Sequence, residues 1–298
     1  MDAASPSMSA YEERLVEDEP SSTHAPDRPT RPAGPLVGLE PIFERILETA
    51  TRRVDLVQGE AVLEDALRTS RRFVIALNHG PMHLPVVPVS ALGRVLLAHS
   101  ASALRLVGVF FRPFYYVPGL SAVIRHLTQL EEPATFDSLV DGFESDAWDG
   151  VVVMPDGANC VFTDPHELPA FASPRFVELA ARVDATILLF VHTGLEGYAQ
   201  AVPMPSALRR SWLLRHLPYG LGKAIGRTEL LALPSLLPRR AELRVAVDVH
   251  RPSVTSAELR AMDPVERRAW VAGEAAIVRA KMSALHASLA AESTNARR

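Results

Sequence analysis

Two short polar motifs carry the residue types that do chemistry, and each follows a run of apolar residues. The first is Asn78-His79, after Phe73-Val74-Ile75-Ala76-Leu77; the second is Met154-Pro155-Asp156-Gly157, after Val151-Val152-Val153. A histidine and a carboxylate delivered by two strand ends are what a general-base or nucleophilic-transfer site needs. Residues just past strand ends also stand at the crevice where open α/β sheets bind ligands. Gly157 adds a turn through which backbone N–H groups can approach a ligand. Each motif has a local reading as well. His79 could cap backbone groups in a loop, and Asp156-Gly157-Ala158-Asn159 could be a tight turn built from ordinary turn residues.

His83 follows His79 by four positions, the spacing of a helical metal-binding pair. Gly80 stands where the glutamate of H-E-x-x-H would be, and Pro81 argues against a helix through both histidines, so no metal site is expected. Cys160 could be a nucleophile, although a lone cysteine beside a strand is more often a small buried hydrophobe. There is no G-x-S-x-G elbow, no Walker loop and no G-x-G-x-x-G after a strand. Gly220-Leu221-Gly222-Lys223 lacks a preceding strand. No cofactor is implied.

The elements that must position these motifs alternate between short apolar runs and helices. Leu39, Ile42, Phe43, Ile46 and Leu47 have helical spacing, which predicts a helix over Glu40–Thr51. A short strand at Val54–Val57, a helix over Gly59–Ser70 and a buried strand at Phe73–Leu77 follow. A helix is expected from about Pro85 to Leu92, with a possible strand at Val95–Ala98. The apolar segment Leu104–Leu130 holds Phe110, Phe111, Phe114, Tyr115 and Tyr116 within seven residues and is broken by Pro113, Pro118 and Gly119. Next come a helix at Phe136–Ser145, a strand at Val151–Met154, a helix at Pro174–Arg182 and a strand at Ala185–Val191. Ala241–His250 alternates as a half-buried strand does, and Asp263-Pro264-Val265-Glu266 opens a last helix with an N-cap, a first-turn proline and a capping-box glutamate. The pattern predicts an α/β fold with a mixed, largely parallel central sheet flanked by helices.

The 298 residues suffice for one large domain or two small ones. Residues 1–35, with six prolines and many polar residues, bury too little to offset ordering entropy and are expected to be a disordered tail, or an arm that folds on binding. An α/β domain is expected over 36–255 and a C-terminal helix with a frayed end over 256–298. A formal net charge of −4 gives no support for nucleic-acid binding. One cysteine excludes an intramolecular disulfide and fits a reducing compartment. No signal peptide and no membrane-spanning run is expected, so membrane contact would be peripheral. The basic stretch Ala207–Arg240, with Trp212 among leucines, reads either as a surface for anionic headgroups or as a solvated helical face.

The order and spacing of these motifs resemble the PlsC-type glycerolipid acyltransferases, the lysophospholipid acyltransferase superfamily. That family carries N-H-x-x-x-x-D after a strand, then a strand leading into F-P-E-G-T-R, an apolar helix, and a strand reading roughly P-V-V-P-V. The counterparts are Asn78-His79, Met154-Pro155-Asp156-Gly157, Phe171 with the helix Pro174–Arg182, and Thr186–Val191. Ala241–His250 with Arg251-Pro252 resembles the closing strand before the family's G-x-P-I turn. The likeness covers about residues 39–255. The family's catalytic Asp falls at Leu84, which can neither ionise nor orient an imidazole. Its E-G-T-R becomes Asp156-Gly157-Ala158-Asn159, which keeps a carboxylate and loses the phosphate-holding arginine.

The resemblance implies an acyltransferase in which His79 takes the proton of a lipid hydroxyl as it attacks the thioester of acyl-CoA or acyl carrier protein, with Asp156 in support. Asn78, Gly80, Pro155, Gly157 and Asn159 would contact substrate. The missing arginine points to an acceptor without phosphate at that position, such as a neutral glyceride, a long-chain alcohol or an amine. The resemblance also implies a cytoplasmic protein peripherally bound at a membrane surface, with Leu104–Leu130 lining an acyl channel or facing the bilayer. In Ser-His-Asp enzymes, spoiling the orienting carboxylate costs about 10⁴ in rate. Leu84 therefore leaves three alternatives: another acid, such as Asp156, orients His79; the acceptor is more reactive or needs less help from a base; or the protein is a non-catalytic, acyl-binding relative.

Overall fold

The structure, a computed structural model, describes residues 33–81, 83–207, 229–235 and 240–295. The expected tail falls outside the described residues up to position 32. Most of the basic stretch does too, at 208–228 and 236–239.

The apolar runs flanking the two motifs form the middle of a six-stranded sheet. Its strands are β1 (Thr51–Gln58), β2 (Phe73–Leu77), β3 (Leu106–Gly108), β4 (Gly150–Val153), β5 (Thr186–Thr193) and β8 (Ala241–His250), in the spatial order β1-β8-β5-β2-β4-β3. β2 pairs in parallel with both β4 and β5, as do β3 with β4 and β1 with β8. Only the β5–β8 pair is antiparallel. Every residue of β2 and β5 is buried. Strands covered on both faces need apolar residues facing both ways, which is why these segments read as continuous runs rather than alternations. The central sheet is therefore mixed, largely parallel and flanked by helices.

One face is covered by α1 (Glu40–Ala50), α2 (Glu60–Thr69) and α3 (Val86–Ala98), whose Phe43, Leu63, Leu92 and Leu96 meet Phe73, Ile75 and Leu77 of β2. The other is covered by α5 (Phe136–Glu144), α6 (Arg175–Arg182) and α8 (Pro264–Asn295), whose Phe143, Leu179 and Met282 meet Val74, Ala76 and Val151. The chain leaving β2 thus turns to one face and the chain leaving β4 to the other. Diverging connections at adjacent strand ends open the crevice in which α/β sheets place their ligands.

Several expectations are corrected. Val95–Ala98 is no strand. It is the last turn of α3, because Ala91, Leu92, Val95 and Leu96 continue one helical stripe into the core. The broken apolar segment contains β3, a 3₁₀ turn at Arg112–Tyr116 and α4 (Leu120–Thr128). β8 keeps the expected alternation at Leu243, Val245 and Val247, but Ala246 is buried as well, against the α8 side of the sheet. Two elements went unforeseen. One is an antiparallel pair of strands, β6 (Ala199–Pro203) and β7 (Leu230–Pro234). The other is α7 (Ser256–Ala261), capped reciprocally by Thr255 and Glu258. Among the described residues, no helix is long and apolar enough to cross a membrane.

Candidate active site

The strand register brings the two motifs together. Ala76 of β2 lies beside Val153 of β4 and Leu77 beside Phe190 of β5, so Asn78, Asp156 and the end of β5 share one edge of the sheet. The backbone N–H of His79 donates to Asp156 Oδ2 at 3.1 Å. The carboxylate is therefore joined to the histidine's main chain, and no hydrogen bond to the His79 ring is formed among the described residues.

A third residue, His192 at the end of β5, completes the constellation. The Asn78 side chain donates from Nδ2 to the His192 carbonyl at 3.1 Å and accepts from the His192 N–H at 2.8 Å. The Asn78 amide thus extends the β2–β5 ladder by one step with a side chain. In return, His192 Nε2 lies 2.9 Å from the Asn78 carbonyl. A carbonyl only accepts, so Nε2 carries the proton and Nδ1 keeps its lone pair.

What remains unpaired is as telling as what is paired. Among the described residues, the buried side-chain polar atoms without a partner are His79 Nδ1, Asp156 Oδ1, His192 Nδ1, Thr193 Oγ1 and the Trp148 indole nitrogen. All but the last sit at these three strand ends. Native proteins leave few such atoms, and a group of them marks a place that something else is meant to fill.

Burial also sets the charge states. It pushes the Asp156 carboxyl up to about 7, against the backbone N–H groups of His79, Asp156 and Gly157, which favour the anion. It pulls His79 down to about 4 and His192 to about 3. At neutral pH both imidazoles are uncharged with a lone pair available, and Asp156 is near half-protonation. Opposed shifts in neighbouring groups are the usual arrangement of acid–base sites.

These shifts make stability depend on pH in two opposite ways. Between about pH 4 and 7 the folded state holds a proton on Asp156 that the unfolded chain has lost. That contribution, on the order of 4 kcal/mol, is complete below pH 4 and is lost as pH rises through 7. The buried histidines act the other way, stabilising above pH 6.5 and losing that contribution as pH falls toward 4 and 3. Asp156→Asn removes only the first effect. The Tm of this variant minus that of the parent is expected to climb by several degrees between pH 4.5 and 7.5. A difference that stays flat by calorimetry contradicts a carboxyl buried in this way.

The other residues singled out from the sequence take varied places. Gly80, at φ 65°, leaves room for the His192 ring, whose Cε1 would lie 2.9 Å from an added Cβ. Pro155 is buried and its carbonyl accepts from Ala172 N–H at 2.7 Å. Gly157, at φ 47°, opens the 3₁₀ turn Gly157–Phe162. The Asn159 amide is spent on the Ala170 carbonyl at 2.9 Å. His83 is exposed, whereas His79 is half-buried. Cys160 is buried, donates from Sγ to the Gly157 carbonyl at 3.0 Å, and has its thiol pushed well up by burial and the nearby Asp156, which is the behaviour of a structural thiol. Leu84 packs beside Leu47, Val87 and Leu195 in a separate apolar cluster.

Two pockets adjoin this edge. One is apolar, lined among others by Leu36, Val86, Val109, Leu127 and Met154, and reaches the residue just before Pro155. The other is the more polar of the two and includes Asn78, Gly80 and Pro81, so the neighbours of His79 in the chain form part of its wall.

Fold and site together define a three-layer α/β protein with His79, Asp156 and His192 gathered at its central strand ends. No family model matches the sequence, and no curated protein sequence matches it. Among solved structures the chain is similar to the 1-acyl-sn-glycerophosphate (LPA) acyltransferase PlsC from Thermotoga maritima. The two are 12% identical over 86% of this chain and 80% of that one, with a TM-score of 0.44. A likeness at that level assigns no activity to this chain.

Proposed function

We propose that the protein is an acyltransferase that moves a fatty acyl group from acyl-CoA or acyl carrier protein to a lipid hydroxyl, with His79 as general base. The observation that carries this reading is the group of polar atoms unpaired among the described residues, His79 Nδ1, Asp156 Oδ1 and His192 Nδ1, at the ends of three adjacent strands. The acceptor oxygen attacks the thioester carbonyl carbon as its proton passes to the neutral His79 ring. The C–S bond breaks, and the thiolate leaves and takes up that proton. Asp156 holds the His79 peptide in place. The apolar pocket suits the acyl chain. Val109→Trp, which narrows it, is expected to shift the donor preference toward shorter chains; an unchanged chain-length profile would remove the pocket from that role.

The exposed Tyr116, Val117 and Val123, around the start of α4, support peripheral contact with a membrane surface. The acyl-transfer reading is tested by incubating the protein with labelled acyl-CoA and a panel of lipid acceptors. A second reading, a non-catalytic acyl-binding relative, is favoured by one observation: Leu84 is packed in an apolar cluster, and among the described residues no carboxylate hydrogen-bonds the His79 ring. It predicts bound lipid and no product.

A further inference from the structure

The polar pocket has a charge pattern that bears on which acceptor the site takes. Beyond Asn78, Gly80 and Pro81, its wall carries three carboxylates, Asp164, Glu167 and Glu196, and two imidazoles, His192 and His286. Among the described residues no lysine or arginine lines it. Two of the carboxylates are held by backbone: Glu196 accepts from Gly194 N–H at 2.8 Å and Asp164 from His166 N–H at 2.9 Å. His192, which is 2% exposed, is among the pocket's lining residues, and its Nδ1, fixed as an acceptor, has no partner among the described residues. Burial keeps His192 and His286 low, so neither offsets the acidic charge at neutral pH.

From these walls we infer that the pocket receives a positively charged, hydrogen-donating headgroup, an ammonium carried next to the hydroxyl that is acylated. The inference rests on the acyl-transfer reading for the hydroxyl's fate and on the pocket alone for the charge. A primary ammonium brings three N–H donors, which suit His192 Nδ1 and the carboxylates. A phosphate brings only acceptors and negative charge, and it would meet three like charges with no counter-charge among the described residues. Like-charge juxtaposition of this kind is the usual means by which a site rejects a wrong partner. The reaction itself is unchanged: the hydroxyl oxygen takes the acyl group, its proton reaches the leaving thiolate through His79, and the ammonium stays intact.

Three acceptors matched in all but charge provide the test: 1-O-dodecylglycerol, its 3-phosphate, and the analogue with a 3-amino group in place of the 3-hydroxyl. Thiol release from acyl-CoA and calorimetric binding are followed for each, with the full chain and with the double variant Glu196→Gln, Asp164→Asn. Both substitutions keep an oxygen for Gly194 and His166. The expected result is kcat/KM at least about tenfold higher for the amine than for the phosphate, with the amine-to-diol ratio falling toward one in the double variant. Transfer that favours the phosphate, or is indifferent to charge, overturns the inference and leaves acyl transfer standing. Charge-selective binding of the amine, lost in the variant but without transfer, supports the pocket assignment and overturns the acyl-transfer reading. Neither transfer nor charge-selective binding overturns both.

Discussion

His79→Ala is expected to lower acyl-transfer turnover by roughly 10²–10⁴-fold while leaving Tm within a few degrees of the parent. The rate estimate is what a positioned general base supplies. The stability estimate follows from the ring's surroundings. Among the described residues the ring's Nδ1 has no hydrogen-bond partner to lose, and the link between the motifs runs through the His79 backbone N–H to Asp156 Oδ2, which alanine retains. His79→Gln sharpens the result, because glutamine fills similar space with no basic nitrogen and should be as inactive as alanine. If either variant keeps parental turnover, the proton is taken elsewhere, and His192 Nδ1 becomes the next group to remove. The neutral form of His79 is already present above about pH 4, so its own titration should not limit the rate near neutrality.

Asn78→Ala is expected to be the most damaging polar substitution for stability. Its amide pairs with both the N–H and the carbonyl of His192, and the neighbourhood is buried. Truncation strands two main-chain groups without water, at about 1–3 kcal/mol each. A loss of about 3–5 kcal/mol is a large share of ordinary domain stability and corresponds to a fall in Tm of about 10 °C. Asn78→Asp separates shape from hydrogen bonding. It keeps the acceptor for His192 N–H but turns an oxygen toward the His192 carbonyl, and should fall nearly as far. A Tm within about 2 °C of the parent for either variant would mean that the clamp contributes little.

That clamp also shows what could and could not be read from the chain. β2, β4 and β5 were legible because a strand buried on both faces needs an uninterrupted apolar run, and Asn78 and Asp156 were legible as the first polar residues past those runs. The start of α8 was legible from Asp263, Pro264 and Glu266, a purely local signal. His192 was not found. Within Phe190-Val191-His192-Thr193 it looks like an isolated polar residue in an apolar strand, and its importance depends on pairing with a segment more than a hundred positions away. The one available signal was that it, too, ends a buried run. The Asn78 amide also serves the sheet, and the Asn159 amide donates to the Ala170 carbonyl, two pairings that no local pattern announces. β6 and β7 escaped notice because they are short, half-exposed and far apart in sequence. Val95–Ala98 was misread because four apolar residues have no visible period until the stripe they extend is known.

The most direct measurement is mass-spectrometric detection of acylated lipid after incubation of the full chain with acyl-CoA, and in parallel with acyl carrier protein loaded with the same chain. The acceptors are a phosphate-bearing, a neutral and an amine-bearing lysolipid. Acyl transfer predicts a product whose mass exceeds that of its acceptor by one acyl group less a hydrogen, formed in step with thiol release and absent with His79→Ala. Lipid retained on the protein, with no product from either donor and no thiol released, would contradict it and identify a binding protein.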